Sequence, residues 1–419
     1  MPGRFRSLAV NSAVVLGSIF FALLLAEVCL RLINYDRNVS RAFMYHPEFG
    51  WVDDPAALAR IDPSDPRIDD LGLKRELKSK VALVIGDSFT VAPGLLYRDN
   101  FAAVLEELLG NEWSVVGLAA GGWGTAQELI ALRSRGLALE PNVVILQVFP
   151  TNDVCNNAIE LRGVCDLQDL YRPYFLISES DGRPVEHTGP MVAIRKASVL
   201  AGLIENVLNP GIMRPRHDLT PEEFHRIATA YRDRNANRIG LGGWREVYIG
   251  LPKHHQPAVL QQAWRITESL FREIGATLKR RDIPLISIVV PYRDTLTEER
   301  WGRMKGNLPA HSTPDYGDRY AEDLLSKISN QTVSMRDFFA RNPHFVGEAF
   351  LPGAHFNELG NCLVAVLLYK AMTRAGLLDD DAAHPGIAAE QHCAGGKRAR
   401  GSEPRGDIGE HGIGRYRPT

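Results

Sequence analysis

Ser88 stands directly after a short apolar run, in the stretch VALVIGDSFTVAPGL at residues 81–95. The run predicts a buried strand over 81–85, and parallel sheets bind ligands at the carboxyl ends of their strands. A serine at that place can act as a nucleophile, or it can simply cap the following helix. The stretch does not match the nucleophile elbow G-x-S-x-G of α/β-hydrolases, because Thr90 stands in place of the second glycine.

Two further strand ends carry groups that can stabilise an oxyanion. The second predicted strand, 113–118, runs into a glycine-rich stretch that contains Gly122, and glycine lets a backbone N–H approach a ligand closely. The third predicted strand, 143–149, is followed by Asn152, whose side-chain amide is a donor. A backbone N–H and an asparagine amide together make a workable oxyanion hole. The alternatives are a flexible turn for the glycines and a helix N-cap for Asn152.

A general base is the third group that such chemistry needs, and His355 is the best placed of the twelve histidines. It lies in LPGAHFN at 351–357, immediately before the last predicted helix, where a loop can return to the first strand end. His254 and His255 are neighbours in a loop, and we expect them to be solvated. The sequence therefore predicts that Ser88 and His355 converge.

Strand and helix patterns alternate around these residues. A fourth strand is predicted over 285–290, and helices are predicted over 100–109, 125–137, 257–280 and 357–375. Such alternation predicts an α/β fold, a three-layer flavodoxin-like arrangement with a central parallel sheet and helices on both faces.

The chain is predicted to hold one domain, at 81–378, with an insertion at about 176–255 where Gly, Pro and His clusters break the rhythm. A lead-in segment at 34–80 precedes the domain. The aperiodic tail at 379–419, rich in Ala, Gly, Arg and Glu, is predicted to be disordered.

Residues 1–33 are predicted to form an N-terminal transmembrane helix that anchors the chain. Arg4 and Arg6 precede an apolar run from Leu8 to Ala26, which suits one membrane-spanning helix or a long signal sequence. The residues after Ala26 make a weak cleavage site, so an uncleaved anchor is favoured. Arg4 and Arg6 then stay in the cytoplasm, and the rest of the chain lies outside.

Charge and cysteine spacing exclude other classes. The net charge of the 419 residues is −2, so no basic field indicates nucleic acid as a partner. The five cysteines form no CxxC pair, so no zinc site is indicated and no metal or organic cofactor is expected. In an exported domain Cys155 and Cys165 can form a disulfide across a short loop, and two free thiols are the alternative.

Taken together, the motifs resemble those of the SGNH hydrolases, also called the GDSL esterase/lipase family. Four blocks stand in the family's order and spacing: Gly86-Asp87-Ser88-Phe89, Gly122, Asn152-Asp153 and His355-Phe356-Asn357. The resemblance covers roughly 45–175 and 256–375. It implies that Ser88 is the nucleophile and His355 the base. It also implies that the Ser88 N–H, Gly122 and Asn152 form the oxyanion hole.

Three positions depart from the family pattern: Gly117 replaces an asparagine, Thr151 precedes the block-three asparagine, and Pro352 replaces the aspartate three residues before the histidine. The acid of the triad is therefore missing from the motif. A backbone carbonyl in the 351–354 loop can orient His355 instead, which gives a Ser-His dyad. Glu348 is the nearest upstream carboxylate, and a solvated loop residue is the other interpretation of it.

The segments Asp70–Lys74 and Gly124–Gln127 look like those of membrane-anchored bacterial members associated with cell-surface polysaccharides. The resemblance implies a serine-dependent ester hydrolase or O-acyltransferase that acts on acyl esters, such as acetyl, of an extracellular glycan. Water and a sugar hydroxyl both stay open as the acceptor. The implied partners are an acylated glycan or small ester, the bacterial inner membrane and polysaccharide biosynthesis proteins. A non-catalytic glycan-binding or scaffold subunit is the alternative, and Pro352 favours it.

Overall fold

The structure, a computed structural model, describes residues 2–32, 43–161 without 47, 172–187, 198, 200, 251–378 without 307, 309 and 353, and 393. The side chains of residues 2–10 are not part of that description. Most of the predicted insertion at 176–255 lies outside the described residues. The predicted tail at 379–419, apart from Cys393, also lies outside them, as does Cys165.

Strands and helices alternate through the described ranges. The strands are β1 Phe43–His46, β2 Gly50–Asp53, β3 Lys80–Gly86, β4 Trp113–Ala119, β5 Val143–Val148, β6 Phe175–Ile177, β7 Pro184–Glu186, β8 Leu285–Val289 and β9 Gln331–Ser334. The helices are α1 Pro2–Leu32, α2 Pro55–Ile61, α3 Ser88–Val91, α4 Phe101–Leu109, α5 Thr125–Ser134, α6 Pro150–Asn156, α7 Ala258–Lys279, α8 Glu298–Lys305, α9 Tyr316–Ser326, α10 Met335–Arg341, α11 Phe345–Glu348 and α12 Glu358–Arg374.

The N-terminal helix α1 is long and apolar. Its Asn11–Leu32 part has a mean hydropathy of 2.5, and its most apolar stretch is not buried against the rest of the described chain. About 20 apolar residues are enough to cross the hydrocarbon core of a bilayer. By length and composition α1 could therefore span a membrane.

The central sheet has five parallel strands in the order β4-β3-β5-β8-β9. Counted by their sequence within the sheet, the order is 2-1-3-4-5, which is the flavodoxin-like arrangement. The predicted fold class is confirmed. In this arrangement the chain switches direction of winding between β3 and β5, and ligands bind at the carboxyl ends of the strands beside that point.

Helices cover both faces of the sheet. Leu83 and Ile85 belong to a core cluster shared with α5, α7 and α9. Ala82 and Val84 belong to a second core cluster shared with α4, α10 and α12. Alternate residues of one strand therefore serve two separate cores, which explains why β3 is a continuous apolar run.

A hairpin packs against the sheet ahead of the first parallel strand. Strands β1 and β2 pair antiparallel, from Phe43 opposite Asp53 to His46 opposite Gly50. Phe49 at the turn and Trp51 have no exposed surface and belong to the same core cluster as α5. The sequence at 34–80 shows no hydrophobic period because its few buried apolar side chains, Phe49, Trp51, Val52 and Leu71 among the described residues, are scattered over short elements.

Cys362 in α12 forms a disulfide with Cys393, with their Cα atoms 5.8 Å apart. This pair was not among the sequence-based predictions. Cys155 is also disulfide-bonded. Its predicted partner, Cys165, lies outside the described residues, so that pairing stays a prediction. Cys29 in α1 is free and exposed.

Candidate active site

Ser88 lies at the carboxyl edge of the sheet because β3 turns into helix α3 at Asp87. The Asp87 carboxylate caps α3 by accepting a hydrogen bond from the Phe89 N–H at 2.9 Å, which makes Ser88 the first helical residue. The turn requires glycine at position 86, since a Cβ there would collide with Thr90 Oγ1 and Gln147 Oε1. The Ser88 side chain is half-buried at this edge.

The structure brings His355 to Ser88. The imidazole Nε2 and the serine Oγ are 2.8 Å apart, which is a hydrogen-bond distance. A tight loop presents the histidine: the Leu351 N–H donates to the His355 carbonyl at 2.7 Å. The Phe89 ring, one residue after the serine, lies 5.0 Å from the imidazole ring and covers it.

The histidine loop is tied to α12 and to the loop after β8. Asn357 donates from Nδ2 to the Glu348 carbonyl at 2.6 Å and caps α12 by accepting from the Gly360 N–H at 3.1 Å. Arg293 Nη1 donates to the carbonyl oxygens of Leu351 at 3.1 Å and Pro352 at 3.4 Å. These contacts fix the loop that carries His355 from two sides.

The imidazole of His355 is held in its neutral form. Burial lowers the pKa of His355 to about 4, and a neighbouring carboxylate would act in the opposite direction. Within the described ranges, which omit Gly353, the Nδ1 atom has no hydrogen-bond partner. Glu348 and Pro352 are both exposed. No side chain in the described loop therefore takes the place of the aspartate that the family pattern expects.

Asn152 lies inside helix α6 rather than at its cap, which is Phe149. Its Nδ2 donates to Asp87 Oδ2 at 2.8 Å, so the amide is beside the residue that precedes Ser88. An amide nitrogen carries two hydrogens, and the second one stays available to a ligand. The switch point between β3 and β5 thus brings the first and third motifs together.

Gly122 lies in the loop between β4 and α5, with a φ of +75° that glycine adopts without strain. The Gly121 carbonyl accepts from Trp51 Nε1 at 2.8 Å, and the Gly122 carbonyl accepts from Asn156 Nδ2 at 3.3 Å. Among the described residues, no group accepts a hydrogen bond from the N–H of Gly122 or of Ser88. Both predicted backbone donors are therefore free to meet a substrate oxygen.

Three fully buried carboxyl groups lie near the serine, and their burial was not among the sequence-based predictions. Burial raises the pKa of Asp87 to about 6, while its bonds from Phe89 and Asn152 act in the opposite direction. Burial, and then their neighbouring acids, raise the pKa of Glu128 and of Asp153. Neither carboxyl oxygen of Glu128 has a hydrogen-bond partner in the described part of the chain. A glutamate on the apolar face of α5 is the only sequence signal for this group.

Comparisons with known proteins give similarity at the level of solved structures alone. No family model matches the chain, and no curated protein matches it. The structure of TesA is 12% identical with a TM-score of 0.30, covering 71% of this chain and 99% of TesA. An α/β hydrolase enzyme from the metagenome of Lake Arreo, Spain, is 14% identical with a TM-score of 0.34, covering 73% and 99%. A gut microbial diltiazem-metabolizing enzyme is 10% identical with a TM-score of 0.33, covering 72% and 48%. The fold assignment rests on the strand order of this chain.

Proposed function

We propose that this chain is a serine-dependent enzyme that hydrolyses or transfers acyl groups held in ester bonds. The observation that carries the proposal is the 2.8 Å contact between Ser88 Oγ and His355 Nε2. Burial keeps the pKa of His355 near 4, so the imidazole is neutral at physiological pH and Nε2 can accept the serine proton. A nucleophile within hydrogen-bond reach of a base is the geometry that acyl transfer requires.

The reaction proceeds in two halves. Ser88 Oγ attacks the acyl carbon while its proton passes to His355 Nε2, and the carbonyl electron pair moves onto the oxygen. The tetrahedral adduct collapses, the alcohol leaves with the proton from Nε2, and the acyl group stays on Ser88. Water or a sugar hydroxyl then attacks the acyl-enzyme and gives its proton to His355. As the second adduct collapses, Nε2 returns that proton to Ser88 Oγ, which releases the acid or the new ester and restores Ser88.

The oxyanion of both tetrahedral adducts is stabilised by the N–H groups of Ser88 and Gly122 and the second amide hydrogen of Asn152. These donors come from three neighbouring strand ends of one sheet. Donors fixed in advance cost no reorganisation when the negative charge develops. The contact from Asn152 to Asp87 supports this role, because it holds the amide beside the serine.

We infer further that the substrate is an O-acylated glycan, with acetyl as the smallest acyl group, on the outer side of a bacterial inner membrane. The resemblance to membrane-anchored SGNH hydrolases supports the substrate class. The apolar helix α1 supports attachment to a membrane. The disulfide between Cys362 and Cys393 supports a location outside the reducing cytoplasm. Polysaccharide biosynthesis proteins are the partners that this location and substrate suggest.

A second function has one observation in its favour. His355 has no carboxylate at its second ring nitrogen among the described residues, and such a carboxylate is what orients the histidine in Ser-His-Asp enzymes. A scaffold or glycan-binding subunit that kept the fold does not need that carboxylate. The intact pair of Ser88 and His355 favours catalysis.

A fluorophosphonate probe tests the class directly, because it labels only a serine that a base activates. We expect the wild-type protein to be labelled and the Ser88→Ala variant to remain unlabelled. Ser326→Ala removes an exposed serine in α9 and serves as the matched control that keeps the label. A folded wild-type protein that takes up no label would establish the non-catalytic alternative.

Water and sugar acceptors are separated by the products. The purified protein is incubated with a soluble acetyl ester, with and without an added oligosaccharide. Acetate release that is independent of the sugar identifies an esterase. Acetylated sugar at the expense of acetate identifies an O-acyltransferase. Ser88→Ala is the blank for both products.

A further inference from the structure

The loop from Ala120 to Gly124, called here the glycine loop, is joined to the β1–β2 hairpin by two tryptophan side chains, one from each segment. Trp51 in the β1–β2 hairpin donates from Nε1 to the Gly121 carbonyl at 2.8 Å. Trp123 in the glycine loop donates from Nε1 back to the Trp51 carbonyl at 2.9 Å. The hairpin and the glycine loop therefore exchange a pair of hydrogen bonds.

The Gly121 carbonyl and the Gly122 N–H belong to one peptide group. A trans peptide is planar, so its oxygen and its hydrogen point in opposite directions. Glycine on both sides of that group leaves few steric barriers to rotating it, since neither residue has a Cβ. Fixing the Gly121 oxygen is consequently enough to fix the direction of the Gly122 N–H.

We propose that Trp51 is a positioning residue of the oxyanion hole. Its indole N–H holds the peptide between Gly121 and Gly122 so that the Gly122 N–H faces the substrate oxygen above Ser88. The inference rests on the proposed acyl-transfer function, and it assigns a role in that function to the hairpin ahead of the parallel sheet.

The contacts around Trp51 hold its side chain in one position. The Trp51 indole has no exposed surface, and the guanidinium of Arg172 lies 4.7 Å from the centre of its ring. Phe49 is also fully buried, with its ring 5.1 Å from that of Trp123. Gln127 in α5 donates to the Phe49 carbonyl at 2.6 Å, which fastens the hairpin at a second point.

Position 121 shows how closely the hairpin and the glycine loop approach. A Cβ at Gly121 would lie 2.9 Å from the ring of Phe43 in β1, which is closer than carbon atoms pack. Glycine therefore lets the hairpin reach the loop with the Phe43 ring in its present place. With that approach the Trp51 indole can contact the peptide oxygen directly.

Trp51→Phe keeps an aromatic ring and removes the N–H donor. We expect kcat on a soluble acetyl ester to fall about tenfold, since the net bias of one hydrogen bond is a factor of that order in an equilibrium. The loss should stay below the 10²- to 10³-fold cost of removing a whole oxyanion donor. KM should remain within about twofold, because the donor acts mainly in the transition state.

Two comparisons separate positioning from a loss of packing. Trp113→Phe shortens a buried tryptophan at the start of β4. This position lies at the amino ends of the strands, away from Ser88 at their carboxyl ends, so kcat should be unchanged. Gly122→Ala disturbs the positive φ of the donor residue, so Trp51→Phe should cost almost nothing further in that background.

The outcomes are distinguishable. A folded Trp51→Phe variant with wild-type kcat overturns the positioning role and leaves the proposed function standing. The positioning role is also overturned if Trp51→Phe lowers kcat as much in the Gly122→Ala background as in the wild type, because Trp51 would then act through packing. A wild-type protein that neither hydrolyses the ester nor takes up fluorophosphonate overturns the proposed function, and this inference with it.

Discussion

Replacing Pro352 by aspartate should increase the turnover of the proposed enzyme. Pro352 is the position at which the family pattern places the acid, and in this structure it is exposed. His355, three residues later, is a half-buried base with no carboxylate partner in the described loop. A new carboxylate that reaches Nδ1 would stabilise the imidazolium that forms as Ser88 attacks.

The size of the effect follows from the environment of His355. Burial lowers its pKa from the ordinary 6.5 to about 4. At about 1.36 kcal/mol per pKa unit, that lowering makes the imidazolium about 3.4 kcal/mol less stable than in water. If about half of the charge has formed in the transition state, the penalty there is about 1.7 kcal/mol, or roughly twentyfold in rate. Because His355 is half-buried and solvent reduces the penalty, we expect Pro352→Asp to raise kcat about tenfold.

The assay is the pH dependence of kcat/KM on a soluble acetyl ester. The gain should be accompanied by an acid limb at higher pH than in the wild type, since the carboxylate raises the pKa of His355. Asparagine has nearly the same shape as aspartate without its charge, so Pro352→Asn should not raise kcat/KM.

The guanidinium of Arg293 can compete with His355 for the new carboxylate, because its Nη1 lies 3.4 Å from the Pro352 carbonyl oxygen. Pro352→Asp is therefore also measured together with Arg293→Gln, which removes that cation, and the double variant is compared with Arg293→Gln alone because Arg293 also holds the histidine loop. If neither variant exceeds the wild type and the acid limb does not move, the missing carboxylate is not what limits His355.

Four further outcomes are expected. Asn152→Ala should lower kcat by about 10²- to 10³-fold with little change in KM, because an oxyanion donor acts mainly in the transition state; an unchanged kcat would remove it from the oxyanion hole. Glu348→Gln should change kcat little, whereas a loss as severe as that of Ser88→Ala would make Glu348 the acid of a triad. Reporter fusions after residue 40 should be active with a periplasmic reporter and silent with a cytoplasmic one, and the reverse pattern would invert the orientation. Glu128→Gln should flatten the pH dependence of stability in urea unfolding: burial raises the folded-state pKa of Glu128, so the free energy of unfolding falls as pH rises above about 4.5, and this fall should be shallower in the variant, in which Asp87 and Asp153 still titrate with raised pKa values.

The central sheet could be predicted where both faces of a strand are covered. β3 and β5 are continuous apolar runs because each side chain enters one of two cores, and their positions follow from the sequence within one or two residues. β9 could not be found in this way. Its residues, Gln331–Ser334, are all half-buried at the edge of the sheet, so the segment contains no apolar run.

The serine and the histidine could be predicted as a pair because each stands at a recognisable boundary of an element. The contacts that hold the surrounding loops in place could not be predicted. Trp51 and Gly121 are 70 residues apart, and no local pattern states that an indole will meet a particular carbonyl. The burial of Glu128 is signalled only by its place among the apolar residues of α5, and glutamate is seldom fully buried.

The proposed site depends on segments that lie outside the sheet on either side of it in sequence. The hairpin before β3 holds the peptide group of Gly122, the proposed oxyanion donor. The loop before α12 holds His355, which serves proton transfer. Because the two supports share no hydrogen bond within the described ranges, damage to one should leave the other function in place. The activity of a Trp51 variant should then still depend on pH through the pKa of His355. The activity of a Pro352 variant should still depend on the Gly122 N–H donor.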